Sequence, residues 1–135
     1  MGTNRNVSAN QPKLLDTPAF DSPAYAKLKA LVKRDALDTF ICQAYDHANL
    51  AILSMAKGKD ATGTAIRDNI RKIANNDAGM KVDNALDGLK AIADGKEIKY
   101  SGASGPCKFS DTGNIIEVAF RTAQVKDGKL VAVQV

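Results

Sequence analysis

Aromatic residues are scarce in this sequence. It contains no tryptophan, and aromatic side chains make up only 5% of its 135 residues. The core must therefore consist mainly of alanine, leucine, isoleucine and valine. Hydrophobic residues account for 44% and charged residues for 25%, which is the composition of an ordinary globular domain. The length suits one domain with one core.

Histidine and cysteine, the residues of most metal and nucleophilic sites, are also rare. His47 is the only histidine, and no nucleophile motif such as Gly-x-Ser-x-Gly accompanies it. The two cysteines, Cys42 and Cys107, form no CxxC pair and no cluster with histidine. We therefore assign no catalytic residue, no metal ligand and no cofactor, and we expect the protein not to be an enzyme.

The two cysteines leave two interpretations open. Both are buried free thiols, or Cys42 and Cys107 form one disulfide that closes a long loop in an oxidising compartment.

Long apolar runs and dense basic patches are absent. No run approaches the roughly 20 apolar residues of a membrane span, and the N-terminus lacks the apolar segment of a secretory signal. The net charge of +4 comes from lysines and arginines interleaved with aspartates. Because nucleic-acid surfaces need a concentrated basic face with stacking aromatics, we do not expect a nucleic-acid partner.

Residues 1–20 are polar, contain Pro12 and Pro18, and show no apolar periodicity. They are predicted to be a disordered tail or a cloning remnant, and residues 21–135 are predicted to be the folded segment.

Helical spacing of apolar residues predicts four helices. The first has Ser22 as its N-cap and Pro23 at its first position, and ends near Arg34. The second runs from the Asp38 cap to Gly58. The third is capped by Asp60 or Thr62, and the fourth spans Lys81 to Ala93. The predicted buried stripe of the second helix consists of Ile41, Ala44, Tyr45, Ala48, Ile52 and Met55, and the opposite face holds Gln43, Asp46 and His47.

After the fourth helix the apolar period changes to two, which indicates strands. Short strands are predicted at 98–100, at 116–120 and at 130–135, and Asp127-Gly128 predicts a tight hairpin turn. The fold class is therefore α+β: about four helices followed by a short antiparallel sheet with a C-terminal β-hairpin. So small and hydrophobic a sheet suggests further strands beside it.

A loop at 100–114 joins the helices to the hairpin. Three glycines and Pro106 shape its backbone, while Cys107 and Phe109, spaced two apart, are predicted to pack inward. The loop lacks the lysine of a phosphate-binding loop, and a strand rather than a helix follows it.

Five segments in order resemble the C-terminal third of the branched-chain amino-acid type of periplasmic binding protein, the solute receptors of ABC transporters. That family has a tyrosine-aspartate-alanine helix, then a Y-x-G-x-[ST]-G-x-x-x-F-D-x-x-G-D segment, and a hairpin that closes with D-G-x-[FL]-V. The sequence departs from these patterns at His47, in place of alanine, and at Ser110, in place of aspartate. The matching segments begin at Asp21, Asp38, Ala65, Tyr100 and Lys126.

The resemblance implies that the chain is a fragment of a two-lobed α/β receptor that binds amino acids, amides or similar small polar ligands in the periplasm and delivers them to an ABC permease. By the same resemblance, Phe40 is the aromatic residue facing the ligand, with Gln43 and Tyr45 as further ligand-binding candidates. The lobe that grips the amino and carboxylate groups of an amino acid is not part of this sequence.

Two alternatives remain. The chain is part of a ligand-sensing domain of a signalling receptor, since the same fold is reused there, or it is a free-standing small α+β interaction module. In a fragment, exposed strand edges invite pairing between chains, so a homodimer through such edges is also expected.

Overall fold

A computed structural model describes residues 12–133, which form four helices and seven short strands. The mixed α+β class and the four helices are confirmed. The helices are α1 (Pro23–Val32), α2 (Thr39–Gly58), α3 (Gly63–Ala74) and α4 (Ala85–Ala93). The strands are β1 (Lys13–Asp16), β2 (Met80–Val82), β3 (Ile98–Tyr100), β4 (Lys108–Phe109), β5 (Ile115–Ile116), β6 (Phe120–Lys126) and β7 (Lys129–Ala132).

The strands form three small sheets. An antiparallel sheet has the order β1-β6-β7, β4 pairs antiparallel with β5, and β2 pairs parallel with β3 across the α4 connection. The predicted hairpin is confirmed, because Asp127 (φ 50°) and Gly128 (φ 73°) form a turn with two positive φ angles between β6 and β7. Residues 134–135 of the predicted return strand lie outside the described residues.

The segment predicted as a tail contains a strand. Residues 13–16 pair with β6, and Asp16 lies opposite Phe120. Four residues with only Leu14 and Leu15 as hydrophobes give too short a pattern to be recognised from sequence. Residues 1–11 of the predicted tail lie outside the described part of the chain. Residues 12 and 17–20 are described and belong to no helix or strand.

Side-chain caps fix where the first three helices begin. Ser22 Oγ accepts a 3.0 Å hydrogen bond from the Tyr25 amide, and Asp38 Oδ1 accepts one of 2.9 Å from the Ile41 amide. Of the two candidates for α3, Thr62 is the cap, because its Oγ1 accepts from the Ala65 amide. All three caps are of the residue types that satisfy the unpaired amides of a first helical turn.

One helix ends where it was predicted to end, and another begins later than predicted. Gly58 is the last residue of α2, and Lys59 caps the helix in the left-handed conformation. A Cβ on Gly58 would lie 2.7 Å from Asn69 Nδ2, so the glycine permits close packing of α2 against α3. The fourth helix begins at Ala85, because Lys81 and Val82 belong to β2.

The strand predicted at 116–120 is interrupted. Glu117 has a φ of 62°, and β5 ends at Ile116 before β6 begins at Phe120. This left-handed residue redirects the chain from one small sheet to the next.

The helix α2 lies between two hydrophobic clusters. One cluster contains Leu50, Leu53, Ile73, Ala74, Val82, Ala91, Ile98, Tyr100 and Cys107. The other contains Ala24, Tyr25, Leu28, Leu37, Cys42 and Ala103. The cysteines are thus buried in different clusters, and both are free thiols, so the disulfide interpretation is not realised in the structure.

The predicted buried stripe of α2 is largely wrong. Ala44, Ala48 and Ile52 are exposed, whereas Asp46 and Asn49 are buried together with Leu50 and Leu53. The buried face of α2 could not be recognised from the sequence, because it carries polar residues. Asn49 Nδ2 donates to the Tyr45 carbonyl at 2.8 Å and Ser54 Oγ to the Leu50 carbonyl at 2.6 Å, so the helix itself satisfies both groups.

Candidate functional site

The carboxylate of Asp46 is the centre of the most extensive polar cluster in the described residues. Its residue is 1% exposed. Oδ1 accepts hydrogen bonds of 2.9 Å from the Tyr100 hydroxyl and from the Ala103 amide. Oδ2 accepts hydrogen bonds from the Ser104 amide at 2.7 Å and from the Ser104 hydroxyl at 2.5 Å. Four donors on two oxygens compensate for the removal of this carboxylate from water.

The loop at 100–107 is shaped to deliver these donors. A Cβ on Gly102 would lie 2.1 Å from Asp46 Oδ1, so only glycine lets the backbone approach the carboxylate so closely. The Gly102 amide donates to the Gly105 carbonyl at 2.8 Å, which folds the loop back on itself. Gly105 has a φ of 147°, a conformation that side chains rarely adopt.

Cys107 completes the cluster without becoming reactive. Its Sγ lies 3.5 Å from Asp46 Oδ2 and 3.4 Å from the Gly105 carbonyl oxygen. Burial, and then the negative charge of Asp46, raise the pKa of the Cys107 thiol to about 12. The same two causes raise the pKa of the Tyr100 hydroxyl. Both groups therefore remain protonated donors at neutral pH, and neither is prepared to act as a nucleophile.

The three residues assigned to ligand binding do not share one surface. Phe40 is 81% exposed, and it lines a cavity of about 380 Å³ together with Gln43. Tyr45 instead packs against the Cys42 cluster and donates its hydroxyl to the Asp83 carbonyl at 3.1 Å. The other residues of this cavity are Leu15, Asp16, Pro18, Phe20, Ala36, Leu37, Asp38, Thr39 and Arg121.

Asp16, which lines this cavity, is hydrogen-bonded to the first two turns of α2. Gln43 Nε2 donates to Asp16 Oδ2 at 2.7 Å, and Thr39 Oγ1 donates to the Asp16 carbonyl at 3.1 Å. Between Asp16 and Pro18 lies Thr17, whose buried Oγ1 has no hydrogen-bond partner among residues 12–133. Sequence reasoning missed this segment because it was assigned to the tail, and missed Asp46 because α2 was predicted to expose it.

No arrangement for binding a metal ion is present in the described segment, since no three histidine, cysteine, aspartate or glutamate side chains come together there. His47 is exposed, whereas the neighbouring Asp46 is buried. Within residues 12–133, no helix has the length and apolar character needed to cross a bilayer.

Comparisons with known proteins give no relative. No family model matches the chain, and neither a curated protein nor a solved structure matches it.

Proposed function

We propose that this chain is the C-terminal part of a periplasmic solute receptor of the branched-chain amino-acid type, which binds amino acids, amides or similar small polar molecules for an ABC importer. The proposal begins from the five ordered segments that resemble this family. Such a receptor is not an enzyme, and it works by closing two lobes over the ligand. The permease then receives the ligand.

One observation carries the proposal: two of these segments are joined at a single carboxylate. Asp46 belongs to the Tyr45-Asp46 helix segment, and its four donors come from Tyr100, Ala103 and Ser104 of the glycine-rich segment. Residues that lie more than 50 positions apart thus form one hydrogen-bonded unit. The helix segment and the glycine-rich segment therefore occur together for a physical reason. This supports the fold that the resemblance implies.

The start of α2 is the part of the chain that would contact the ligand. Phe40 is 81% exposed beside the cavity that it lines, so its ring is free to contact a ligand. Gln43 offers an amide in the same cavity, and its Nε2 is held by Asp16. Tyr45 is assigned to packing, because its ring and hydroxyl are already engaged by the protein.

A thermal-shift screen tests the proposal. The complete gene product that carries this chain is melted in the presence of each of the 20 amino acids and a set of small amides. A ligand that binds only the folded state raises the melting temperature. We expect at least one member of the panel to do so in a concentration-dependent manner. If no member of the panel raises the melting temperature at millimolar concentration, the proposed transport function is wrong.

A further inference from the structure

A second cavity, of about 690 Å³, lies beside β2 and β3. Met80 and Lys96 line it near the amino ends of these strands, and Asp83 and Ser101 line it just after their carboxyl ends. The start of α1 and one side of α4 enclose it further. This cavity shares no lining residue with the Phe40 cavity.

Part of the lining is apolar. Val82 and Ala91 are buried core residues, and Pro23 and Met80 extend the same surface. Met80 is 48% exposed. This lining therefore offers contact area to an aliphatic or aromatic group.

The charged residues of the cavity are unequally paired. Lys27 is engaged by the protein, because its Nζ lies 2.8 Å from Asp83 Oδ1 and 3.9 Å from Asp87 Oδ2. Among the described residues, no acidic side chain forms an ion pair or hydrogen bond with the three other lysines of the cavity. These are Lys81, Lys90 and Lys96.

The remaining acid of the cavity is Asp94, whose carboxylate likewise has no cationic partner within residues 12–133. The four lysines and three aspartates of the lining leave a formal charge of +1. A single negative charge on a ligand would neutralise it.

We propose that this cavity binds a small organic carboxylate with an apolar body. The carboxylate lies between Lys90 and Lys96, whose ammonium groups have no acidic partner among the described residues. The apolar body lies against Pro23 and Met80, the apolar side chains of the lining that are exposed. This site does not depend on the solute-binding function proposed above. The two proposals are tested separately.

Three matched probes test the contributions of the negative charge and of the apolar body separately. Phenylacetate has the charge and the ring, phenylacetamide has the ring without the charge, and acetate has the charge without the ring. Each is titrated into the ¹⁵N-labelled chain, and amide shifts are followed by NMR. We expect phenylacetate to bind more tightly than either of the other probes, with the largest shifts at Met80, Ala91 and Lys96.

Charge variants provide the decisive comparison. The double variant Lys90→Gln/Lys96→Gln should weaken phenylacetate binding about fivefold, the effect of losing two exposed ion pairs. Asp94→Asn removes the unpaired acid and should tighten binding about twofold, a gain that a damaged fold could not produce. The double variant Lys126→Gln/Lys129→Gln, at the turn between β6 and β7, removes the same two charges away from the cavity and should leave binding unchanged.

Three results would overturn the site. They are phenylacetamide binding as tightly as phenylacetate, shifts located away from the β2 and β3 ends, and unaltered affinity in both the lysine double variant and Asp94→Asn. Absence of any shift at tens of millimolar phenylacetate would equally overturn it.

Discussion

The carboxylate of Asp46 and the phenol of Tyr100, 54 positions apart in the chain, share a buried hydrogen bond of 2.9 Å. This contact joins the middle of α2 to the end of β3, where the glycine-rich loop begins. The loop then returns to the same carboxylate through Ala103 and Ser104. The conformation of this loop therefore depends on a charged group of another element as well as on its own turn residues.

Removing the charge of Asp46 should destabilise the fold. In Asp46→Asn, one carboxylate oxygen becomes an NH₂ group that faces donors, so hydrogen bonds to a charged group are lost and a donor is left buried without an acceptor. We expect the free energy of unfolding to fall by about 3 kcal/mol, measured by urea denaturation.

The matched control is Asp38→Asn, the same substitution at the N-cap of the same helix. Asparagine caps a helix as well as aspartate does, so the free energy of unfolding should change by less than about 0.5 kcal/mol. Equal effects of the two substitutions would contradict the role given to Asp46.

Gly102 should not tolerate alanine. The new Cβ would lie 2.1 Å from Asp46 Oδ1, and the carboxylate, held by four donors, has no room to move away. We expect Gly102→Ala to reduce the free energy of unfolding by about 2 kcal/mol or more. Gly63→Ala is the control, because nothing lies within 4 Å of its Cβ position at the start of α3. It should be neutral or stabilise the protein by up to about 1 kcal/mol.

The buried thiol of Cys107 should make the protein sensitive to alkali. Its pKa in the folded state, about 12, lies above the ordinary value of 9.0, so the folded protein retains a proton that the unfolded chain releases. The contribution of the thiol to stability is thus complete below pH 9.0 and is lost as the pH rises towards 12. Between about pH 9 and pH 10.5, Cys107→Ala should lose about 1.5 kcal/mol less stability than the wild type, measured by urea denaturation at each pH. Parallel losses in the two proteins would refute the assignment.

Two lysines that face each other across β2 and β3 should differ sharply in importance. Lys81 and Lys99 are paired in register, yet Lys81 is exposed and Lys99 is buried. Lys99 Nζ donates to the Ala74 carbonyl at 2.5 Å, at the C-terminal end of α3, and lies 3.1 Å from Asp77. Lys99→Met should therefore cost about 2 kcal/mol in the free energy of unfolding, whereas Lys81→Met should change it by less than about 0.5 kcal/mol. Thermal or urea denaturation of both variants provides the comparison.

Local signals predicted the features that depend on local chemistry. Ser22, Asp38 and Thr62 cap helices because a side-chain oxygen needs only the next helical turn as its partner. The Asp127-Gly128 turn likewise depends on two residues with positive φ angles.

Features that depend on distant partners could not be predicted in this way. Asp46 had the appearance of a solvent-exposed helix residue, because its donors come from residues 100–104. The pairing of β1 with β6 depends on a strand more than 100 residues later, and four residues carry too little pattern to reveal it. Gly88 likewise depends on a distant partner, because it lets α4 approach the buried Leu53, whose Cδ2 would lie 2.4 Å from a Cβ at this position.

We expect this chain to contribute Phe40 to the ligand surface of a solute receptor. Isothermal titration of the complete gene product with the ligand identified by the thermal screen tests it most directly, comparing wild type with Phe40→Ala and Leu86→Ala. Phe40 and Leu86 are 81% and 80% exposed, so the second variant controls for loss of an exposed hydrophobic side chain.

We predict saturable binding by the wild type, an affinity at least about tenfold weaker in Phe40→Ala, and unchanged affinity in Leu86→Ala. If Phe40→Ala binds the ligand as tightly as the wild type does, Phe40 does not contact the ligand.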